Sequence, residues 1–168
     1  MSGEIWSLSA REAVDNLNSG TLQAVELLQA LSDRIDVVNP VINALPTLCF
    51  DRAHEICARR AKSGSKFPAP LFGLPVPIKD SYEVEGVRTT WGSLAFKDHI
   101  ADRSDFCVQA IENGGGVVYG KSNTPEFEAG ANTFNEVFGR THNPWNTSRS
   151  AAGSSGGAAA AVATGCGL

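Results

Sequence analysis

The chain has 168 residues, of which 42% are hydrophobic and 19% are charged, and its formal net charge is -4. This length suits one domain or a large piece of one, and the hydrophobic fraction is sufficient for a buried core. A negative net charge without any basic stripe argues against a nucleic-acid-binding surface.

The cysteines and the first residues indicate the compartment. The four cysteines form no C-x-x-C pair and no Cys/His cluster with zinc-like spacing. We therefore expect reduced thiols, no metal site and no cofactor. Residues 1–10 lack a basic segment followed by an apolar one, and no apolar stretch is long enough to span a membrane. These features predict a cytoplasmic protein without a membrane partner.

Residues 1–62 are predicted to be helical. Ser9 to Glu12 is a capping-box pattern that begins a helix to about Leu17. Thr21 is expected to cap a second helix, with apolar residues at helical spacing, that ends at Asn39-Pro40. A weak strand over residues 43–49 follows, and then a third helix from Asp51 to Lys62, ended by Gly64.

Residues 63–168 follow an α/β rhythm, which predicts that the chain is part of a single domain with a mixed sheet. In chain order we expect a polar loop (63–71), a short strand (74–78), a turn at Gly86 with a following strand (83–90) and a helix (104–112). A buried strand (117–119), a long loop (130–150) and a buried helix of small residues (155–164) come next.

The segment Gly115 to Ser122 fits the Walker A pattern but is not expected to bind a nucleotide. A phosphate-binding loop follows a strand and begins a helix. Here a helical segment comes first, and Val-Val-Tyr within the loop favours a strand. We therefore predict a strand followed by a turn.

Lys79 is the first candidate for chemistry. It ends the proline-stiffened apolar segment G-L-P-V-P-I-K-D, which can place the lysine in the interior. Burial disfavours the charged form of an amine, so a buried lysine can act as a base. Taken alone, the segment also allows a solvated lysine or one paired with Asp80.

Ser154 is the second candidate, in a stretch from Ser148 to Gly165 in which 15 of 18 residues are Gly, Ala or Ser. A flexible linker could have this composition. However, the alanines cluster after the glycines, which favours a close-packed helix preceded by an unusual turn. The positive end of that helix would face Ser154 and Ser155 and would suit an anion or a developing oxyanion.

Four segments together resemble the amidase-signature family. They are G-L-P-V-P-I-K-D, G-K-S-N-T-P-E-F, F-G-R-T-H-N-P-W-N and A-A-G-S-S-G-G-A-A-A-A, in the family's order and spacing from about Leu71 to Gly165. The resemblance implies an amidase-signature α/β fold, a mixed central sheet flanked by helices, that is incomplete in this chain. It divides the chain into a helical segment (1–62) and an α/β core segment (63–168).

The resemblance also implies hydrolysis of a carboxamide C–N bond by a Ser–cis-Ser–Lys triad through an acyl-enzyme. Lys79 matches the family's base. Ser154 matches the bridging serine, which follows a cis peptide bond. Ser155 is expected to be a structural hydrogen-bonding partner, and Gly153 and Gly156 are expected to support the turn. The implied partner is a small amide substrate.

The sequence departs from the family pattern in one important respect. The attacking serine of the family lies in a G-G-S-I/L-R type block, which this chain lacks and which would fall beyond Leu168. We therefore expect the chain alone to be inactive, with the remainder supplied by a longer or second chain. A smaller departure is Ala152, where the family often has Gly.

Two alternatives stay open. One is an A-type subunit of a glutamine amidotransferase, ranked second because residues 131–136 are more similar to the hydrolytic amidases. The other is an incomplete copy that binds without turnover. Neither the amide substrate nor the oligomeric state follows from the sequence.

Overall fold

The computed structural model describes residues 5–63 and 69–168, without the side chain of Ser63. Three α-helices precede the second described range: α1 (Ala10–Ser19), α2 (Ala24–Ile42) and α3 (Phe50–Ser63). The predicted capping box at the start of α1 is confirmed. Ser9 Oγ accepts a hydrogen bond from the Glu12 amide, and the Glu12 carboxylate accepts one from the Ser9 amide. The expected stop at Gly64 and most of the predicted loop 63–71 lie outside the described residues.

Both predicted ends of α2 were wrong. Thr21 hydrogen-bonds to Asn16, beside the C-terminal end of α1, and α2 begins after Gln23, whose amide is capped by the Glu26 carboxylate. The helix also continues through Pro40 to Ile42, because the cap lies further on. Asn43 adopts a left-handed conformation (φ 49°) there, and its amide donates to the Asn39 carbonyl.

The central sheet is mixed, as predicted. It contains β1 (Thr47–Leu48), β2 (Pro75–Lys79) and β3 (Val117–Ser122) in the order β1-β3-β2, with β1 antiparallel and β2 parallel to β3. Helix α4 (Phe106–Asn113) lies in the connection between β2 and β3. The Walker-like segment therefore ends in a buried strand, as expected.

Two sheet predictions need correction. Of the strand expected over residues 43–49, only β1 is present, because the Ala44 and Leu45 amides donate to the Asn39 side chain instead of to a strand. After the turn at Gly86 the structure shows only a bridge between Arg88 and Ile100, not a strand.

The segment predicted as loop contains two small ribbons. They pair β4 (Phe134–Asn135) with β5 (Gly139–Arg140) and β6 (His142–Asn143) with β7 (Asn146–Ser150). The predicted helix of small residues follows as α5 (Gly156–Ala163), and two of its alanines, Ala160 and Ala161, are buried.

The main hydrophobic core lies where α2, α3 and α5 meet the central sheet. Its large buried members include Leu28, Leu31 and Ile35 of α2 and Tyr119 of β3. The Tyr119 hydroxyl donates to the Cys166 carbonyl at 2.5 Å, which ties the end of the α5 segment to the sheet. The core thereby fixes β3 and α5, the two elements beside which the candidate residues lie.

Within the described part of the chain, no helix combines the length and apolar character needed to cross a bilayer.

Candidate active site

Lys79 and Ser154 meet although 75 residues separate them in the chain. Lys79 is the last residue of β2, and Ser154 lies in the turn before α5. The Lys79 Nζ donates hydrogen bonds to Ser154 Oγ at 2.8 Å and to Ser155 Oγ at 3.0 Å. The lysine side chain is 13% exposed, so both hydroxyl contacts are made at the edge of the interior. The structure thus brings together the three polar residues that the sequence singled out.

The turn that carries Ser154 contains a cis peptide bond between Gly153 and Ser154. The turn is tightly packed. A Cβ atom on Gly153 would lie 2.7 Å from the Gly130 carbonyl oxygen, and one on Gly156 would lie 2.3 Å from Thr133 Oγ1. Both contacts are closer than real side chains allow, so these two positions require glycine. Ala152 is exposed and does not have a positive φ, which is why alanine is tolerated there.

A buried polar network connects this turn to the residues that follow β3 and to the first ribbon. Thr124 Oγ1 donates to the Ser154 carbonyl, and Thr133 Oγ1 donates to the Ala152 carbonyl. The Asn135 amide group donates both to the Asn123 side chain and to the Thr124 carbonyl, at 2.7 Å each. Because buried polar groups are costly when unpaired, this network favours a single arrangement of the turn.

The N-terminal end of α5 does not present its first amides to a ligand, contrary to the expectation of an anion site. The Gly156 amide donates to Thr133 Oγ1 at 3.0 Å, and the Gly157 amide donates to the Asn123 carbonyl. These donors are already used within the protein. An oxyanion formed near Ser154 would need donors from elsewhere.

Behind Lys79 lies a buried ion pair that sequence reasoning missed. Lys121 Nζ is 3.2 Å from Asp80 Oδ1 and donates to Thr89 Oγ1 at 2.7 Å, while Thr90 donates to the other Asp80 oxygen through its amide and its hydroxyl. Both charged side chains are 0–1% exposed. Burial lowers the pKa of Lys121 from its ordinary value, and the neighbouring Asp80 carboxylate opposes that shift. Asp80 is therefore paired with Lys121, not with its neighbour Lys79.

Glu128 also lies at the site, and the sequence did not indicate it. Its Oε1 atom is 3.6 Å from Lys79 Nζ, and its side chain is 38% exposed. The residue reaches Lys79 because Phe127 and Glu128 both adopt positive φ values, which the sequence does not reveal.

His142 lies in the second ribbon, where its Nδ1 contacts the Thr147 carbonyl at 2.6 Å. Over residues 5–63 and 69–168, no three His, Cys, Asp or Glu side chains are grouped so that they could hold a metal ion.

Comparison with known proteins identifies the family that the chain resembles. Residues 26–168 match the family model described as Amidase. The chain is 42% identical to an acylamidase of Rhodococcus erythropolis, over 95% of the chain and 34% of that protein. It is 38% identical to the A-type subunit of the glutamyl-tRNA(Gln) amidotransferase of Carboxydothermus hydrogenoformans, over 96% of the chain and 34% of that protein.

Solved structures agree with the sequence comparisons. A bacterial aryl acylamidase of the amidase-signature enzymes superimposes with a TM-score of 0.86 at 32% identity, over 95% of the chain and 34% of that structure. The chain thus spans about a third of the length of the relatives that it matches.

Proposed function

The chain belongs to the amidase-signature family, and on that premise we propose that the whole protein hydrolyses the C–N bond of a carboxamide through a Ser–cis-Ser–Lys triad. The observation that carries the proposal is the 2.8 Å contact between Lys79 Nζ and Ser154 Oγ. That distance allows direct proton transfer between amine and hydroxyl. The acylamidase relative supports the same reaction class.

In the proposed mechanism, Ser154 passes a proton between the attacking serine and Lys79. Neutral Lys79 takes the Ser154 hydroxyl proton while Ser154 takes the proton of the attacking hydroxyl, whose oxygen then forms a bond to the amide carbonyl carbon. The relay then runs in reverse and protonates the leaving nitrogen as the C–N bond breaks. Water next attacks the acyl-enzyme, which releases the acid and restores the serine.

Residues 1–168 supply only part of this machinery. Lys79 and Ser154 would be the base and the bridging serine, and Ser155 would be a second acceptor that fixes the orientation of the lysine. The attacking serine is expected in a block outside these residues, as the family resemblance implies. Because the first α5 amides are already paired, the oxyanion donors would also come from outside them.

The test is labelling of the full-length protein with a fluorophosphonate probe, which reacts with activated serines. We expect one labelled serine, outside residues 1–168. Lys79→Ala and Ser154→Ala should each slow labelling and amide turnover by about two to four orders of magnitude, as expected for loss of a positioned base or relay. The exposed Ser148 provides a matched control, since Ser148→Ala should leave both rates unchanged.

Labelling that is indifferent to both Lys79→Ala and Ser154→Ala would contradict the triad. No labelling and no turnover in the full-length protein would favour the alternative of a copy that binds amides without hydrolysing them.

A second candidate is an A-type amidotransferase subunit, which would release ammonia from glutamine for a partner protein. The 38% identity to a protein of that type over 96% of the chain supports it. Ammonia release from glutamine only when partner subunits are present would favour this candidate. Hydrolysis of simple amides by the protein alone would favour the amidase.

A further inference from the structure

Glu128 places a negative charge beside the candidate base Lys79. Its carboxylate lies 3.6 Å from Lys79 Nζ, the same atom that contacts the Ser154 and Ser155 hydroxyls. With 38% of its side chain exposed, Glu128 is partly open to solvent. A substrate attacked by a serine that hydrogen-bonds to Ser154 would therefore have atoms close to Glu128.

The backbone holds Glu128 in this position. The Phe127 amide donates to the Trp91 carbonyl at 2.8 Å, the Glu128 amide donates to the Pro125 carbonyl, and the Gly130 amide donates to the Glu128 carbonyl. Backbone hydrogen bonds thus hold the residues around Glu128, although Phe127 and Glu128 have φ values of 48° and 61°. The acidic side chain is directed to the site by a well-bonded turn.

The carboxylate has unused capacity for a ligand. Among the described residues, the Glu128 carboxylate contacts Lys79 Nζ through one of its oxygens, and no donor is hydrogen-bonded to the other oxygen. An ionised carboxylate accepts several hydrogen bonds, so a partner with N–H donors fits the free oxygen. A positively charged partner suits the carboxylate better than a neutral one, because a carboxylate that loses its water is stabilised most by an opposite charge.

The proposed relay uses Lys79 in its uncharged form, which leaves the Glu128 carboxylate without its nearest counter-charge. A cationic group of the substrate bound to Glu128 would compensate that carboxylate in the reacting complex. A neutral substrate offers no such compensation.

We propose that Glu128 is a specificity-determining residue that binds the ammonium group of the substrate, so that the enzyme acts on amides with a free amino group close to the scissile carbonyl. This inference rests on the proposed amidase function. The short distance between Glu128 and the lysine limits the separation of amino group and carbonyl to a few bonds, as in amino-acid amides.

The experiment compares matched substrates in the full-length enzyme. Phenylalanine amide and 3-phenylpropanamide differ only in the amino group, as do alanine amide and propanamide. At pH 6.5 the α-amino group is charged, since its pKa is about 7.7–8.0. We expect the wild-type enzyme to show at least a tenfold higher kcat/KM for the amino-bearing member of a pair, expressed mainly in KM.

Glu128→Gln is the decisive variant, because it keeps the size of the side chain and removes the charge. It should abolish the preference by raising KM for the amino-bearing amide more than KM for the deamino amide, so that the two members of a pair become equal substrates. Glu126→Gln is the matched control, since Glu126 is an exposed carboxylate in the same turn for which the described part of the chain shows no side-chain contact. It should preserve the preference.

The outcomes separate this inference from the proposed function. Hydrolysis of all four amides without preference, or an equal effect of Glu128→Gln on both members of a pair, would overturn the specificity role and leave the amidase intact. Absence of turnover together with absence of serine labelling would overturn both.

Discussion

Gly157 of α5 lies against Asn123, the residue that follows β3. A Cβ atom there would lie 2.3 Å from the Asn123 nitrogen and 2.5 Å from its carbonyl oxygen. Both neighbours are backbone atoms and cannot turn away as a flexible side chain could. Packing therefore requires glycine at this position. The same close approach lets the Gly157 amide donate to the Asn123 carbonyl.

We expect Gly157→Ala to shift α5, and with it the Ser154 turn, away from Lys79. Overpacking of this kind costs about 1–3 kcal/mol of the free energy of unfolding. Amide turnover should fall more than stability alone explains, because the 2.8 Å contact of Lys79 with Ser154 lengthens. Urea denaturation and kcat measured on the same variant provide the test.

The exposed Ala159 on the same helix serves as the control, since Ala159→Ser adds one atom where solvent surrounds it. If Gly157→Ala behaved like Ala159→Ser in both measurements, the close approach of α5 to Asn123 would not be essential.

Both the contacts and the charge of the Lys79 amine matter for the proposed relay. Its amine contacts two hydroxyls and one carboxylate, which satisfies the three donors of a charged lysine. The relay uses the uncharged form, which accepts a proton from Ser154. In that form of the lysine, the Glu128 carboxylate has lost its nearest counter-charge.

At the scale of elements, the buried pair Asp80–Lys121 connects the ends of β2 and β3 to the segment with Thr89 and Thr90. Asp80 directly follows Lys79, so the pair fixes the end of the strand that carries the candidate base. A buried ion pair does not by itself indicate net stabilisation, but loss of one partner leaves an uncompensated charge.

We expect Lys121→Met to lower the free energy of unfolding by about 3–5 kcal/mol, because Asp80 is then buried without its counter-ion. The double variant Asp80→Asn/Lys121→Met should recover part of that loss, since no isolated charge remains. Urea denaturation of both variants measures this difference. A double variant less stable than Lys121→Met would show that the Thr90 hydrogen bonds to Asp80, not the charge, dominate.

Local sequence patterns predicted the elements that depend mainly on neighbouring residues. The Ser9–Glu12 capping box, the strand that ends at Lys79 and the small-residue helix after Ser155 all lie where the sequence indicated. The C-terminal end of α2 did not, because the cap at Asn43 came after the proline that was expected to stop it. The ribbons at 134–150 were missed because their strands are only two to five residues long.

At the scale of the whole molecule, the sheet is open on both sides within the described residues. The order β1-β3-β2 leaves β1 and β2 each with one strand neighbour, and the two prolines of β2 remove only part of its edge donors. Large apolar side chains are also exposed, among them Phe106 at 87% and Trp145 at 80%.

We therefore expect residues 1–168, produced on their own, to associate as their concentration rises. Unpaired strand edges and exposed aromatic surface both favour contact between copies. Sedimentation velocity over a range of concentrations measures this association. A monodisperse monomer that unfolds cooperatively would be inconsistent with it and would show that the open edges are sufficiently protected.

The sequence alone determined the α/β alternation through local patterns. Four ordered motifs that resemble the amidase-signature family indicated the family and the candidate residues Lys79, Ser154 and Ser155. Tertiary structure decided the partners that are distant in the chain: Lys121 for Asp80, Glu128 for Lys79, and the Thr133 and Asn123 acceptors that use the first amides of α5. Such pairings depend on how strands and turns approach one another in space, and the spacing of residues along the chain does not predict that approach.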